Sequence, residues 1–273
     1  MTSQPLSADL ADTYAPAVVQ AALISWVRRR WPPIALALVL AAIWQGASGT
    51  LFNAYYLSRP TAIAAQVWVW AVDGTLWRHL SATLVTTLAG FAGAAVVGIA
   101  AALLLGSIRA LDRVLQPFVF VAYSLPKIVL APLLILWLGI GSWSAIGMAF
   151  LTGFFMVFFN VYSGVRAVSP ALVDTVTLMG AGRLRTALTV RLPAALPFVA
   201  LGLHQGLVYA FHGAIVGEMT ASNRGLGYLL VYAASDMDAN GVLAALCVLA
   251  VLSLILLRLL ALAIARQPGA RVA

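Results

Sequence analysis

Charged residues are scarce in this chain of 273 residues, where Asp, Glu, Lys and Arg make up 9% of the sequence and hydrophobic residues 63%. A soluble domain of this length carries about a quarter charged residues. The mean hydropathy of +1.01 is therefore that of a protein whose helices cross a membrane several times. We predict an all-α polytopic membrane protein, held in the lipid bilayer.

Cysteine and the usual catalytic motifs are also missing. The single Cys247 lies within an apolar run, which excludes an internal disulfide framework and a cysteine-based metal cluster. No glycine-rich phosphate loop, His-Glu-x-x-His motif or Gly-x-Ser-x-Gly motif is present. The spacing of the three histidines does not indicate a metal site. We therefore expect no enzyme, no metal site and no cofactor bound by this chain.

The net charge of +8 comes from basic residues in short clusters beside apolar segments. A basic face with interleaved aromatic residues, as a nucleic-acid interface requires, is absent. Placement beside apolar segments is what membrane orientation requires instead. Nucleic acid is not an expected partner.

Six apolar segments are long enough to cross about 30 Å of hydrocarbon at about 1.5 Å per residue. They are residues 31–51, 82–106, 117–140, 143–165, 195–217 and 241–265. Residues 52–79 are rich in Trp and Tyr, which favour the membrane interface. Within that stretch, residues 63–72 are too short to span and are predicted to form an interfacial helix.

Lysine and arginine predict the orientation, because cytoplasmic loops are enriched in them. Six spans put both termini on one side of the membrane. Twelve of the 16 basic residues fall on that side, three fall on the other, and Lys127 lies within a span. We therefore expect both termini in the cytoplasm, together with the loop 169–193.

That loop, from Ser169 to Pro193, is the one long polar interruption in the second half of the chain. Ser169 is a suitable helix N-cap, and Pro170 suits the first helical position. The helix is predicted to end at Gly180, because glycine tolerates the left-handed conformation of a C-terminal cap. A second helical run, rich in arginine, follows. The sequence therefore predicts a helix–turn–helix on the cytoplasmic side.

The loop resembles the EAA loop of binding-protein-dependent ABC importer permeases, which reads Glu-Ala-Ala, three residues, Gly, nine residues, Ile-x-Leu-Pro. The glycine and the final Leu-Pro match in identity and spacing, a valine replaces the isoleucine, an aspartate stands for the glutamate, and both alanines are replaced. These positions are Gly180, Leu192, Pro193, Val190, Asp174, Thr175 and Val176. Further runs over residues 73–261 resemble the nitrate/sulfonate/taurine-type branch: DGTLWRHLSATL, LPKIVLAPLLILWLGIG, NVYSGVRAVSP and GEMTASNRGLGYLL.

The resemblance implies a type I ABC importer permease in the bacterial inner membrane. Its implied partners are a second copy of the chain, cytoplasmic ABC ATPase subunits that bind the ATP, and a periplasmic solute-binding protein. The expected segments are a cytoplasmic tail (1–30), a first span with an outer interfacial segment (31–76), the importer transmembrane domain (77–261) and a second cytoplasmic tail (262–273).

In such permeases the EAA loop forms a coupling helix that seats in a groove of the ATPase. Three side chains, Leu172, Val176 and Leu178, are available for an apolar pocket there. The alternative is an amphipathic helix lying on lipid headgroups. The expected coupling residues are Leu172, Asp174, Val176, Leu178, Gly180, Leu192 and Pro193.

Ionisable residues within the membrane cost about 2.5–3.5 kcal/mol on insertion scales and are functional candidates. Lys127, beside Pro126 in the span 117–140, either faces the translocation pathway and attracts an anion, or pairs with a carboxylate. At about 100° per residue, His204, His212 and Glu218 share one broad helix face. We assign His212 and Glu218 to the pathway, with Glu218 at an outer gate or against the binding protein, and His204 to a helix contact.

Two other classes of function remain open. A transporter driven by an ion gradient would carry paired broken helices in two repeated halves, but the sequence has no convincing internal repeat. A membrane scaffold would not need to bury Lys127. The expected substrate is a small organic anion of the sulfonate, nitrate or taurine kind.

Overall fold

The structure is a computed structural model that describes residues 31–33, 35–51 and 53–265. Within those residues all regular segments are helical. The chain divides into two units, Met1–Ala62 and Ile63–Ala273. The expected tail 1–30 and residues 266–273 of the other expected tail lie outside the described residues.

The first unit contains helix α1, Trp31–Ala47, and the short helix α2, Ala54–Leu57. Trp44 Nε1 donates a hydrogen bond of 3.3 Å to the carbonyl of Leu57, which ties the two helices together. Helix α1 ends four residues before the predicted span does, because the chain turns at Gly49, whose φ is +88°. The first predicted span is thus shorter than a usual transmembrane helix.

The remaining helices, in chain order, are α3 Pro60–Val72, α4 Thr75–Ser107, α5 Arg109–Ser124, α6 Ala131–Leu138, α7 Ser142–Arg166, α8 Pro170–Leu178, α9 Arg183–Thr186, α10 Leu192–Ala221, α11 Leu226–Ser235 and α12 Ala239–Ala265. Among the described residues, four helical runs are long and apolar enough to cross a membrane: α4, α7, α9 with α10, and α12. A fifth results if the bent pair α5 and α6 counts as one span. The chain is a multi-pass membrane protein, and the predicted count of six spans is not confirmed.

Contacts at the two ends of the bundle give the relative directions of α4, α7 and α10. Gly141, before α7, donates to the carbonyl of Ala221 at the end of α10 over 2.6 Å. Arg191, before α10, bonds Gly106 at the end of α4. Helices α4 and α7 therefore run the same way and α10 runs back. The pair α5 and α6 must return the chain between α4 and α7. We call the end that carries α8 the loop end, and the end where α10 meets α11 the far end.

The predicted span 117–140 is not one straight helix. The chain bends by 91° between α5 and the segment Lys127–Leu138, which opens with a 3₁₀ turn. The cause is Pro126, which lacks a backbone N–H and disfavours helical geometry in the residue before it. Leu125 accordingly has extended backbone, with ψ of 133°.

Helix α4 begins at Thr75, earlier than the predicted span 82–106, and is 33 residues long. At about 1.5 Å per residue it reaches about 50 Å, well beyond the hydrocarbon thickness. Its additional first turns carry His79, which is buried. These turns belong to the far-end site described below. The segment 63–72 is helical as predicted, within α3, which starts three residues earlier, and its place at the membrane interface stays a prediction.

Small residues let α4, α7 and α10 pack backbone to backbone. A Cβ atom placed on Gly90 would lie 2.4 Å from Ala149 Cβ, and one on Gly217 would lie 2.6 Å from Ala145 Cα. Both distances are too short for any side chain. Helix α4 therefore presents a small-residue face to α7, and α10 presents a second one to the same helix. Close approach of this kind stabilises helix pairs in lipid, where no hydrophobic effect drives them together.

We predict that Gly90→Ala destabilises the bundle by about 1–3 kcal/mol, the usual cost of overpacking. The added methyl group would meet Ala149 and the backbone nitrogen of Phe150, which lies 2.9 Å away, and neither can move aside alone. The measurement is the unfolding midpoint of the purified chain in detergent.

Gly93→Ala is the matched control, three residues along the same helix. Its Cβ would lie 3.2 Å from Cδ2 of the Phe150 side chain, and that ring can rotate. A Gly90→Ala protein as stable as the Gly93→Ala protein would contradict the packing described here.

Candidate functional site

Helix α8 begins where the sequence predicts. Ser169 is the N-cap and Pro170 occupies the first turn. The Ser169 carbonyl accepts hydrogen bonds from the backbone nitrogens of Leu172 at 3.1 Å and Val173 at 3.4 Å. Its hydroxyl makes no capping hydrogen bond. The predicted start is confirmed, and the backbone rather than the serine hydroxyl secures it.

The end of α8 is a Schellman motif built on Gly180. The backbone nitrogen of Gly180 donates to Thr177 over 2.9 Å, and that of Ala181 donates to Val176 over 3.2 Å. These two bonds define the motif, which requires a residue with left-handed backbone directly after the C-cap. Gly180 supplies it with φ of +86°. The predicted helix end at Gly180 is confirmed.

An apolar tip projects from this turn. Leu178 is 89% exposed and Met179 is 82% exposed, whereas Leu172 is 49% exposed. Val176, which the sequence grouped with the two leucines, is half-buried. We call Leu178 and Met179 the apolar tip. Exposed side chains of this size at a rigid turn are typical of a surface that a partner covers.

The remaining expected coupling residues lie around the base of the loop. Asp174 is exposed and borders a cleft of about 510 Å³ beside α8. Leu192 packs against the buried cluster at the loop end of α4 and α7. Pro193 is in the first turn of α10 and is exposed. The loop is thus attached to the bundle through Leu192, while Asp174 and the apolar tip face outward.

The cleft has a polar frame. Its lining residues are Gly106, Asp112, Arg113, Val165, Arg166, Val168, Pro170, Val173, Asp174 and Arg191. Asp112, in the first turn of α5, is 4% exposed. Tyr162 donates a hydrogen bond of 2.5 Å to its Oδ1, and Arg166 forms a salt bridge to its Oδ2. This arrangement fixes the end of α7, from which the loop departs, to the start of α5.

A π-turn at Ala187–Arg191 connects α9 to α10. It ends two residues before Pro193, which cannot donate the backbone hydrogen bond of a regular turn. Irregular turns of this kind inside helices are frequent at functional sites. From this turn Arg191 donates to the carbonyl of Gly106 at the end of α4. The loop therefore continues into α10 through a turn that is bonded to α4.

At the far end, Glu218 of α10 is the centre of a buried network. It is 1% exposed. Its Oε2 accepts hydrogen bonds from Thr83 Oγ1 at 2.8 Å and from the backbone nitrogen of Gly227 at 3.0 Å. Thr83 Oγ1 accepts in turn from the backbone nitrogen of Leu226 at 2.7 Å. We call this the far-end network, and it joins α4, α10 and α11.

Close packing completes the far-end network. Gly225 has φ of +115°, and a Cβ atom there would lie 2.2 Å from Glu218 Cδ. His79 Nδ1 lies 3.0 Å from the Gly225 carbonyl oxygen. Glu218 is therefore enclosed in this conformation, and its role at an outer gate or against a binding protein stays a prediction.

Lys127 lies at the bend between α5 and α6, where it is the first residue of a 3₁₀ turn. Its Nζ is 4.4 Å from the ring centroid of Tyr123 and 4.8 Å from that of Phe155, and it donates to the carbonyl of Tyr123. Within the described residues no carboxylate lies within 4 Å of Lys127 Nζ. The alternative, a carboxylate that pairs with Lys127, is therefore not found among the described residues.

The histidines of α10 do not join Glu218. His204 and His212 are exposed on the single chain, whereas Glu218 is buried between helices. The shared helix face inferred from their spacing is too broad to bring them into one site. The expected contact of His204 with another helix is not present within the described chain.

Sequence reasoning missed Asp112, Tyr162 and Thr83. The partners of each lie far along the chain: 50 residues separate Tyr162 from Asp112, and 135 separate Thr83 from Glu218. One signal was available, because an aspartate at a membrane-helix end needs a partner in a chain with only eight acidic residues. Its partner was not predictable from spacing.

Comparison with known proteins identifies the family to which the chain is similar. Residues 94–267 match the family model described as binding-protein-dependent transport system inner membrane component. A probable ABC transporter permease protein of Haemophilus influenzae is 37% identical over 82% of this chain and 91% of its own length. The riboflavin transport system permease protein of Chloroflexus aurantiacus is 33% identical over 84% of this chain and 87% of its own length.

A third relative, the taurine transport system permease protein of Escherichia coli, is 28% identical over 81% of this chain and 82% of its own length. Among solved structures, the methionine ABC transporter MetNI in an inward-facing conformation matches with a TM-score of 0.56 at 22% identity. The match covers 71% of this chain and 93% of that one. The likeness to MetNI shows a common fold.

We predict that Gly180→Val loosens the end of α8 and that Gly180→Asn does not. A Cβ atom at this position would have open space around it, so a substitution affects only the energy of the left-handed backbone conformation. Valine is strained there by about 1–2 kcal/mol, while asparagine adopts this conformation readily. Hydrogen exchange of the Ala181 amide should become about tenfold faster in the valine variant.

The melting temperature serves as the control, and we expect it to be the same for both variants because Gly180 lies outside the packed bundle. Equal exchange rates at Ala181 in the two variants would show that the Schellman motif does not need the glycine.

Proposed function

Because the chain belongs to the family of binding-protein-dependent transport system inner membrane components, and so is an ABC transporter permease for import, we propose that it forms the translocation pathway of an importer for a small organic anion. The chain performs no covalent chemistry. Hydrolysis of ATP by separate subunits changes the pathway between outward-facing and inward-facing states.

The proposed assembly contains two copies of this chain in a bacterial inner membrane. ABC ATPase subunits, which bind the ATP, lie at the loop end in the cytoplasm, with both termini of the chain. A periplasmic solute-binding protein delivers substrate to the far end. The distribution of arginine along the sequence supports this orientation.

The apolar tip is the observation that carries the proposal. Leu178 and Met179 are almost fully exposed on a turn held by two backbone hydrogen bonds. Burying a leucine side chain contributes about 1.5–3 kcal/mol. A groove of the ATPase that covers the tip would gain this free energy without reordering the turn. The loop helix α8 is therefore the proposed coupling helix, with Asp174 at its exposed side.

The bundle can transmit a displacement of α8. The loop is connected at one side to α7, whose end is held by the salt bridge of Arg166 with Asp112. At the other side it continues through the π-turn into α10. Because α7 and α10 pack with almost no intervening side chains, as at Gly217, they move as one body. Their far ends carry Glu218, so the displacement reaches the far-end network.

The proposed substrate class comes from Lys127. The relatives named above are permeases for riboflavin and for taurine, so the family alone does not select a substrate. Lys127 is a cation at a bend within the membrane, and no carboxylate in the described part of the chain lies within 4 Å of its Nζ. Its full positive charge favours a sulfonate, carboxylate or similar anion in the pathway.

We predict that Leu178→Asp abolishes co-purification of the ATPase, because a carboxylate in an apolar groove loses its hydration without a partner. Leu178→Met, which keeps the apolar volume, should retain it. The measurement is recovery of the ATPase with the tagged full chain in mild detergent, using the native neighbouring subunits.

Retention of the ATPase by Leu178→Asp would remove the apolar tip from the interface. If no ATPase is recovered with the native chain, and uptake by cells continues without ATP while an ion gradient persists, the importer proposal itself fails.

We also predict that Lys127→Met lowers uptake of taurine or an alkanesulfonate by about tenfold, while Lys127→Arg retains most of it. The methionine removes the charge and keeps the approximate length; one charge-assisted contact is worth about 1.5–3 kcal/mol. Uptake is measured with radiolabelled probes in vesicles, with ATPase co-purification as the assembly control. Unchanged uptake of both probes by an assembled Lys127→Met complex would exclude a role for Lys127 in anion transport.

A further inference from the structure

A second cavity, of about 440 Å³, lies at the far end and has no part in the transport cycle proposed above. Its lining residues are Trp70, Thr75, Arg78, His79, Tyr228, Leu229, Tyr232, Ala233, Asp236 and Asp238. They come from α3, the start of α4, α11 and the turn before α12. Two of these segments, α4 and α11, are held together by the far-end network.

One wall of the cavity is a ladder of aromatic rings. The His79 ring stacks on Tyr228, with centroids 5.9 Å apart and an interplanar angle of 7°. Tyr228 stacks on Tyr232 at 6.1 Å and 28°. Trp70, 7% exposed, adds a fourth ring system to the lining. Rings arranged in this way present faces that attract a cation.

His79 is fixed by its two neighbours. Arg78 Nη2 lies 3.4 Å from His79 Nε2, and a guanidinium can only donate. His79 Nδ1 lies 3.0 Å from the carbonyl oxygen of Gly225 and 3.1 Å from its backbone nitrogen. The aromatic ladder is thus connected to the far-end network through the contact of His79 with Gly225, and this contact needs no ligand.

The cavity also carries two separate charged groups. Arg78 is the cationic side chain of its lining, and no carboxylate of the described residues lies within 4 Å of its guanidinium. Asp236 is exposed, and none of the described side chains donates a hydrogen bond to its carboxylate. Asp238 Oδ1 is occupied by the backbone nitrogen of Asn240 at 3.1 Å. Arg78 and Asp236 therefore border one cavity without pairing with each other.

We propose that this cavity binds a zwitterion in which a primary ammonium and a phosphate or sulfonate lie a few bonds apart, as in the headgroup of phosphatidylethanolamine. The anion pairs with Arg78, and the ammonium lies between Asp236 and the faces of Tyr228 and Tyr232. A ligand with charges of both signs satisfies the two groups at once, which a simple anion or a simple cation cannot do. Charge-assisted hydrogen bonds of this kind are roughly twice as strong as neutral ones.

The surroundings favour a lipid as the source of the zwitterion. The stretch from α3 into α4 that contributes Trp70 and Arg78 also exposes Trp68, Val72 and Trp77, by 70%, 71% and 60%. Exposed tryptophan and valine beside a charged cavity are typical of the membrane interface, where headgroups and acyl chains meet. A headgroup in the cavity would let its acyl chains lie along this apolar surface.

The test titrates short-chain lipids with identical acyl chains into the purified full chain in detergent, followed by native mass spectrometry. We expect phosphatidylethanolamine to bind more tightly than phosphatidylcholine, whose ammonium cannot donate hydrogen bonds to Asp236, and phosphatidylglycerol to bind most weakly. Arg78→Gln and Asp236→Asn should each weaken binding of phosphatidylethanolamine about tenfold. Both residues are exposed, so both variants should fold.

Arg224→Gln is the matched control, because Arg224 is an exposed arginine at the same end and does not line the cavity. Free phosphoethanolamine and taurine form a second arm. Binding of either that is lost in Arg78→Gln would assign the same chemistry to a soluble ligand instead of a lipid. Phosphatidylglycerol binding as tightly as phosphatidylethanolamine, or ligand binding that neither variant weakens, would overturn the proposal.

Discussion

The close approach of α7 and α10 is the constraint on which the rest of the structure depends. Lipid offers apolar side chains no advantage from leaving it, so helices associate in the membrane through van der Waals contact. Glycine and alanine provide that contact here: a Cβ atom on Gly213 would lie 2.7 Å from the carbonyl oxygen of Met148, and the room is similarly absent at Gly217. Two helices fitted this closely cannot slide past each other. They form a rigid pair whose ends are the loop end and the far end, and both sites inherit their geometry from it.

Polar ties then attach other helices to the ends of this pair. At the loop end, Asp112 holds α5 against α7 through Tyr162 and Arg166. At the far end, Glu218 holds α4 and α11 against α10. Each carboxylate is buried, and each would cost several kcal/mol in hydrocarbon without its donors. The ties therefore determine which helices move with the rigid pair. A helix that does not follow the pair must first break its tie. A displacement that leaves both ties intact moves the start of α5, the far end of α4 and α11 together with α7 and α10.

Sequence rules for helix caps and turns correctly predicted the features that depend on neighbouring residues. The bounds of α8 follow from Ser169, Pro170 and Gly180, because a cap, a first-turn proline and a left-handed glycine act on their own neighbours. Hydropathy alone did not predict the bend at Pro126, since it counts apolar residues and ignores their geometry. The spacing of residues in α10 gave the angle of Glu218 on its helix but not the helix it faces. Its partner Thr83 lies 135 residues away, so only the packed structure identifies it.

The bend also explains how a lysine can lie within the membrane. Pro126 interrupts the helix and leaves the Tyr123 carbonyl without a helical donor, and Lys127 donates to that carbonyl. An unsatisfied carbonyl and an ammonium without a partner would each be costly within the membrane, and the hydrogen bond between them offsets both costs. The partners that Lys127 has are a carbonyl and two ring faces, which solvate its charge without neutralising it. A carboxylate partner would have cancelled the charge and left nothing for an anion to bind. The bend thus leaves the charge of Lys127 without a neutralising carboxylate among the described residues, as the proposed transport of an anion requires.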